Sequence, residues 1–467
     1  MSRFEAISLD IEGSRDELPL GLGVNSVTLS GVRSQFLRAF GSLFYAGQPG
    51  HLALAAPQYC FADTAGTIPA VLGGQVARVN SPVPGQPYLV QETAAARLTM
   101  GRHPSGGIRN FATGAAAVTN ATYWPSPATQ NGVTRTIVAT GVEAGEQWIE
   151  YRFQGTPTTG NNSLGYSTNL SRTSAAIGQT WTGSARLRVV AGDASRINVM
   201  RVGVGEETAP STLITVQYSA GAPTNGTENL ATVSRVLTTG NQVRVEANIV
   251  FLLDAAVDVT VRVRGLQLEQ AATRSAYQAN FGPFDITEAG IPDAYYLQGD
   301  GVDDHMTTSD TVNMSTLTKA RLVAGLEKFT DVNAFYGVSH GLDASGGNLS
   351  INKTAGNAQW TARSRGTGGL ATSTALAIAA PDRAVLTADV NRATNFLQLR
   401  YNNAAQTASA VALGGSGLNA TLAVLAQPSG ALPMNGRWYG HAYADMTDAD
   451  LARVQQYFAS RLGETLT

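Results

Sequence analysis

The sequence predicts a mainly β protein: a small N-terminal region, two antiparallel β-sandwiches of jelly-roll type, and a short C-terminal α-helix. Three observations carry this. Apolar and polar residues alternate with period two over long stretches. Turn clusters rich in Gly, Asn, Pro and Thr fall between those stretches. No helical pattern separates the strands of residues 106–281, which argues against a parallel sheet with crossover helices. The length of 467 residues exceeds one ordinary domain. With 43% apolar and only 14% charged residues, the chain has material for cores and too little charge to extend by self-repulsion.

In the N-terminal region, residues 1–105, Ile7, Leu9 and Ile11 alternate with Ser8 and Asp10 as in a short strand. Val32, Phe36, Leu37, Phe40, Leu43 and Phe44 then recur at helical spacing between Ser30, a suitable N-cap, and Gly47. This predicts an amphipathic helix over 31–45, whose apolar stripe packs either on its own domain or on a partner subunit. From Pro49 to Pro104 the chain is rich in Pro, Gly and Ala without periodicity, and reads as an irregular, extended connector.

Residues 106–281 carry the clearest strands. Val243, Val245, Ala247 and Ile249 alternate with Gln242, Arg244, Glu246 and Asn248. Val257 to Val263 alternate with Asp258, Thr260, Arg262 and Arg264, and Leu187 and Val189 with Arg186 and Arg188. One dry face and one wet face per strand is the signature of antiparallel sheets. Thr158–Asn162 and Ala222–Gly226 supply corners. Residues 284–467 repeat the style, with strand-like runs at 322–326, 335–338, 384–390, 396–401 and 422–425. They close with a helix over 448–462. Thr447 and Asp450 form a capping box, Met446 and Leu451 a hydrophobic staple, and Gly463 a C-terminal cap. Leu451, Val454, Phe458 and Leu462 line one face.

Several function classes recede on composition. The net charge of −2 argues against bulk binding to nucleic acid or an anionic membrane. Only three of 32 basic residues are Lys, Arg being the rest. Cys60 is the single cysteine, so no intrachain disulfide or multi-cysteine zinc site forms, and it reads as an inert buried thiol. No stretch reaches the roughly 18–20 apolar residues of a membrane span. Met1–Glu5 lacks the apolar stretch of a signal peptide, so synthesis in the cytoplasm without the usual export is expected. The five His are scattered without metal-ligand spacing, and no nucleophile elbow, P-loop or dinucleotide fingerprint occurs. Gly203-Val204-Gly205 lies between β-like runs and opens no helix, so no cofactor is expected.

Ala62–Pro69 followed by Gly74–Ala77, with Ser42–Gly47 ahead of it, resembles a connector of bacteriophage structural proteins. Gly265–Glu269 with Ala271–Thr273 and Ala276–Gln278 resembles the last strand and exit of jelly-roll carbohydrate-binding-like modules in phage fibres. Leu297–Asp304 resembles the opening of a laminin-G-like, concanavalin-like sandwich, and Gly436–Gly440 with the capped helix resembles its close. The chain thus resembles fibre or head-spike proteins of phages and gene transfer agents. The resemblance implies a virion attachment protein in three parts: a particle anchor and connector over 1–105, a carbohydrate-binding-like domain over 106–281 and a laminin-G-like domain over 284–467. It further implies binding of host surface polysaccharide, contacts to other virion subunits and a homotrimer or homopentamer. Departures are His305, where the family often has an aromatic residue, and the lack of a repetitive shaft, which favours a short spike.

Sugar recognition needs aromatic faces against C–H surfaces and polar groups for hydroxyls. Trp148 shares a strand face with Glu146, Glu150 and Arg152, opposite Ile149, Tyr151 and Phe153; it is a sugar platform or a rim cover. Tyr123 and Trp124 either cap one end of the sandwich or bind. Trp360, beside Gln359, Arg363 and Arg365, is expected to be exposed with Arg363 as partner. Trp438 is expected in the core, as is Trp181 by resemblance. Asp300, Asp303 and Asp304 are either a polar turn or a Ca²⁺ site. Glu146 and Glu150 have a separation that glycoside hydrolysis could use, as charged sheet faces do by default. The readings that follow are a polysaccharide-binding attachment protein, a virion polysaccharide depolymerase, or a structural virion component without ligand.

Overall fold

The computed structural model describes residues 39–41, 43–44, 48–209, 211–221, 226–253, 255–353, 358–409 and 412–467. The strand expected at 7–11 and most of the helix expected over 31–45 lie outside them. The described architecture is mainly β, in two sandwiches with one C-terminal helix.

The first sandwich faces a six-stranded sheet against a five-stranded one. The six-stranded sheet runs, edge to edge, Asn229–Val236, Thr180–Gly192, Val257–Glu269, Glu146–Gly155, Val133–Glu143 and Ala128–Gln130. The other runs Asn161–Ser163, Gln242–Phe251, Ile197–Thr208 and Thr212–Tyr218, with Thr173–Ser174 also on Gln242–Phe251. Their pairings are antiparallel, in register Val263↔Ile149 and Val204↔Val245. The predicted alternation places Ile149, Tyr151, Phe153, Val259, Val261 and Val263 in one core with Val202, Val204, Val245 and Ile249. Each such side chain contributes roughly 1.5–3 kcal/mol by leaving water. Gly183 lets the sheets approach: a Cβ there would stand 2.8 Å from Val204. Trp181 is in this core, edge-on to Phe111.

The second sandwich is larger. An eleven-stranded sheet is centred on Asn435–Ala444, with Lys319–Lys328 on one side. On the other side Asp293–Asp300 pairs with its first half and Gly50–Leu54 with its second half. A ten-stranded sheet, including Phe335–His340, Leu349–Lys353, Gln359–Gly366 and Leu422–Val424, covers the inner face. The connector expected over 49–104 is therefore corrected. Gly50–Leu54, Cys60–Phe61, Gln75–Val76, Arg78–Val79, Leu89–Val90 and Leu98–Pro104 are strands of these two sheets. Ala53, Val76, Val79, Leu89, Leu98 and Met100 share a core with Leu297, Leu386 and Trp438. Four of the six strands are only two residues long. They have no room for a periodicity and exist because partners far along the chain complete their hydrogen bonds.

The helix Asp448–Leu462 forms as predicted, with both hydrogen bonds of the capping box and Gly463 left-handed at its end. Leu451, Val454 and Phe458 pack on Val323, Val385 and Ala442, on the outer face of the eleven-stranded sheet. Phe40 joins them, its ring 4.8 Å from Tyr457 and 6.3 Å from Phe458. The described part of the N-terminal apolar stripe thus packs within its own chain.

Candidate functional site

The outer face of the six-stranded sheet holds the predicted cluster around Trp148. Alternation works as expected: Glu146, Trp148, Glu150 and Arg152 leave the core side to Ile149, Tyr151 and Phe153. Other strands of the sheet and the loop after Glu269 then supply a cation for each carboxylate. Glu146 accepts from Arg186 and Arg274, each at 3.0 Å, and Arg264 lies 3.4 Å away. Arg262 donates to Glu150 and to Glu143, both at 2.7 Å. Arg152 pairs with Asp258. Trp148 lies over Gly141, where a Cβ would stand 2.5 Å from the indole. The Arg262 guanidinium stacks 4.1 Å from its ring centre. The arginine that stacks on this ring is held by two carboxylates, within an ion-pair lattice over the outer face.

The other predicted aromatics are placed elsewhere. Trp124 is 1% exposed and packs with Tyr166 and Tyr151 in the first core. Tyr123 is half-buried against the same core, its ring where a Cβ on Gly114 would stand. Trp360 is 0% exposed, which corrects the expectation of an exposed platform. It donates to Asp382 Oδ2 at 2.6 Å and meets Phe335 edge-on. Arg363, three positions on in the same strand, falls on the opposite face and pairs with Asp343. Period two separates residues an odd number apart, so Trp360 and Arg363 cannot act together. Trp438 is in the second core as expected.

Oxygens of Asp300, Asp303 and Asp304 lie within 4.8 Å of one another. Two of them already serve the turn: Asp304 accepts from the Asp300 N–H, and Asp300 from the Val302 N–H. Burial, with the other two carboxylates adding to it, pushes Asp304 up to about 6.

A different place in the first sandwich brings polar side chains of both sheets together. A cleft of about 500 Å³ opens where the edges of the two sheets meet. Its walls come from Pro125 and Ala128–Gln130 on one sheet and from Asn161–Ser163, Arg244, Glu246 and Asn248 on the other. Arg135 and Asn162, 7% and 3% exposed, reach it from the two edges. Arg135 donates from Nη1 to Ser163 O at 3.0 Å and from Nη2 to Pro125 O at 2.9 Å. Its Nε, the Nε of Arg244 and the Nδ2 of Asn162 are buried and meet no partner among the described residues. These three N–H groups have no accessible surface and lie within the protein rather than in the cleft, whose polar wall is formed by Arg135, Asn162, Arg244, Glu246 and Asn248.

The wall at Glu246 is organised. The carboxylate accepts from Tyr218 Oη at 2.6 Å, Asn248 Nδ2 at 3.2 Å and Arg244 Nη2 at 3.0 Å. Tyr218 in turn carries the Arg201 guanidinium 3.6 Å from its ring centre. Burial, and then Glu246 beside it, holds the Tyr218 hydroxyl above its ordinary range. Gly203, in the strand between, leaves room: a Cβ would stand 2.7 Å from Val216 and 2.8 Å from the Tyr218 ring.

Alternation had already grouped Arg244, Glu246 and Asn248 on one polar face. Sequence reasoning missed Arg135; its signal is an arginine two residues from the buried Val133 in the strand Val133–Glu143. Asn162 was hidden in a turn cluster and proves to sit in the edge strand Asn161–Ser163.

Neither a family model nor a curated protein matches the chain. Solved structures that it resembles include the tandem CBM22-1–CBM22-2 domains of Paenibacillus barcinonensis Xyn10C, at 11% identity and TM-score 0.22. That match covers 72% of this chain and 96% of the other. Domains LG4-5 of the mouse laminin alpha1 chain match at 11% identity and TM-score 0.22, over 65% of this chain and 90% of theirs. Trypanosoma rangeli sialidase matches at 8% identity and TM-score 0.28, over 72% of this chain and 64% of its own. TM-scores this low assign no function.

Proposed function

We propose that this chain binds a polysaccharide through the cleft between the sheet edges of its first sandwich, as an attachment component of a phage-like particle. The observation that carries the binding is a cleft of about 500 Å³ whose wall joins Arg135, Asn162, Arg244, Glu246 and Asn248 from both sheets. A polyhydroxylated chain supplies donors and acceptors at short intervals for such a polar wall. The particle role rests on the resemblances at Ala62–Pro69, Gly265–Glu269 and Leu297–Asp304. In this reading, the N-terminal region, residues 1–105, anchors the protein to other virion subunits. Three or five copies then turn a weak single site into firm adhesion by raising the effective concentration.

The test is a glycan array probed with the full chain and with Asn162→Ala, whose missing amide breaks no hydrogen bond to the described residues through Nδ2. Saturable binding that falls at least tenfold in the variant is expected. Equal binding by both proteins would remove the cleft from the reading. Incubation with the bound polysaccharide should leave its chain length unchanged; shortening would convert the reading to a depolymerase.

A further inference from the structure

We infer that the cleft selects a carboxylate-bearing sugar, a uronate or similar acidic residue, over a neutral one; this rests on the proposed glycan binding. The argument is a balance of charge and of hydrogen-bonding groups. Arg135 is nearly buried yet forms no ion pair among the described residues; both of its Nη groups go to backbone carbonyls. The other buried guanidinium of the cleft differs: Arg244 has Glu207 and Glu246 at 3.1 and 3.0 Å. A desolvated cation without a counter-charge is unfavourable, and burial holds Arg135 below its ordinary range accordingly.

The hydrogen-bonding groups point the same way. Each Nη of Arg135 gives one N–H to a carbonyl and carries a second. The carboxylate lining the cleft, Glu246, already accepts three hydrogen bonds. A carboxylate accepts only, carries the missing charge, and binds guanidinium and amide N–H groups strongly. Sulfated sugars share the charge but not the planar two-oxygen shape, so the test separates the two.

Immobilised hyaluronate, alginate and polygalacturonate serve as acidic probes, with dextran, mannan and galactan as neutral ones and dextran sulfate as the sulfate control. The full chain should bind at least one acidic polymer tenfold or more tighter than every neutral polymer and tighter than dextran sulfate. Asn162→Asp, nearly isosteric, adds a negative charge at the cleft and should abolish that preference. Arg135→Gln should do the same; if it fails to fold, Asn162→Asp decides. Preference for neutral polymers, or equal binding of uronates and dextran sulfate, overturns this inference and leaves glycan binding standing. Binding of none of the seven polymers overturns both.

Discussion

Acid should loosen the second sandwich while sparing the first. His51, His103, His340 and His441 are fully buried, and all belong to the second sandwich. Residues 106–281 contain no histidine. His51 Nδ1 and His441 Nε2 share a hydrogen bond of 2.8 Å inside the sandwich, and His340 contacts Tyr443 nearby. His103 lies on the sheet's other side, 2.8 Å from the Tyr439 hydroxyl. Burial lowers His51, His103 and His340 to about 4 each, and lowers His441 as well. The sign follows: below about 6.5 the unfolded chain takes up protons that the folded interior refuses, so stability falls as pH falls. Each histidine removes about 1.4 kcal/mol per pH unit between 6 and 4.5, and the four together about 5.6. Asp304, raised to about 6, opposes one of them, because its protonated form suits the folded state. The net loss is about 4 kcal/mol per pH unit, a large part of a typical total stability of roughly 5–15 kcal/mol. Amide exchange by mass spectrometry, corrected for intrinsic rates, reads the two lobes separately. Protection at Asn435–Ala444 should collapse between pH 6.5 and 4.5 while that at Thr180–Gly192 holds. In the first sandwich, hydrogen bonds from the Gly240 and Thr239 backbone and from Arg235 keep Glu206 down at about 2 against its burial, so its contribution is lost only below about 4.5. Unchanged protection in the second sandwich, or equal loss in both, would refute the reasoning.

Two further outcomes test the packing. Thr447→Ala removes the side-chain cap of the C-terminal helix and should cost about 1 kcal/mol, seen as a lower denaturant midpoint at unchanged slope; no shift would mean the cap is redundant. Cys60 is fully buried, and burial pushes its thiol up to about 12, so a disulfide-exchange reagent at pH 8 should leave it intact until denaturant is added. Rapid reaction in the native protein would contradict the burial.

The sequence by itself determined the class of the fold and the inside and outside of its long strands. Val257–Glu269 and Gln242–Phe251 each span at least ten residues, enough for period two to declare which side chains meet the core. The capping box at Thr447 and Asp450 was equally local, and it formed as written. Tertiary structure decided whatever depends on a partner far along the chain. The short strands of 50–104 gain identity only by pairing, as when His51 lies opposite Tyr443. Trp148 looked open in its own strand, but the arginine that covers it comes from residue 262. Trp360 looked exposed among polar neighbours, but strand alternation turned those neighbours away and left the indole inside. The cleft joins residues 135, 162 and 244 from three strands on two sheets, a juxtaposition no spacing along the chain encodes. Periodicity reports which face of an element is dry; which elements share an edge, and what charge they bring to it, is settled by the register of the assembled sheets.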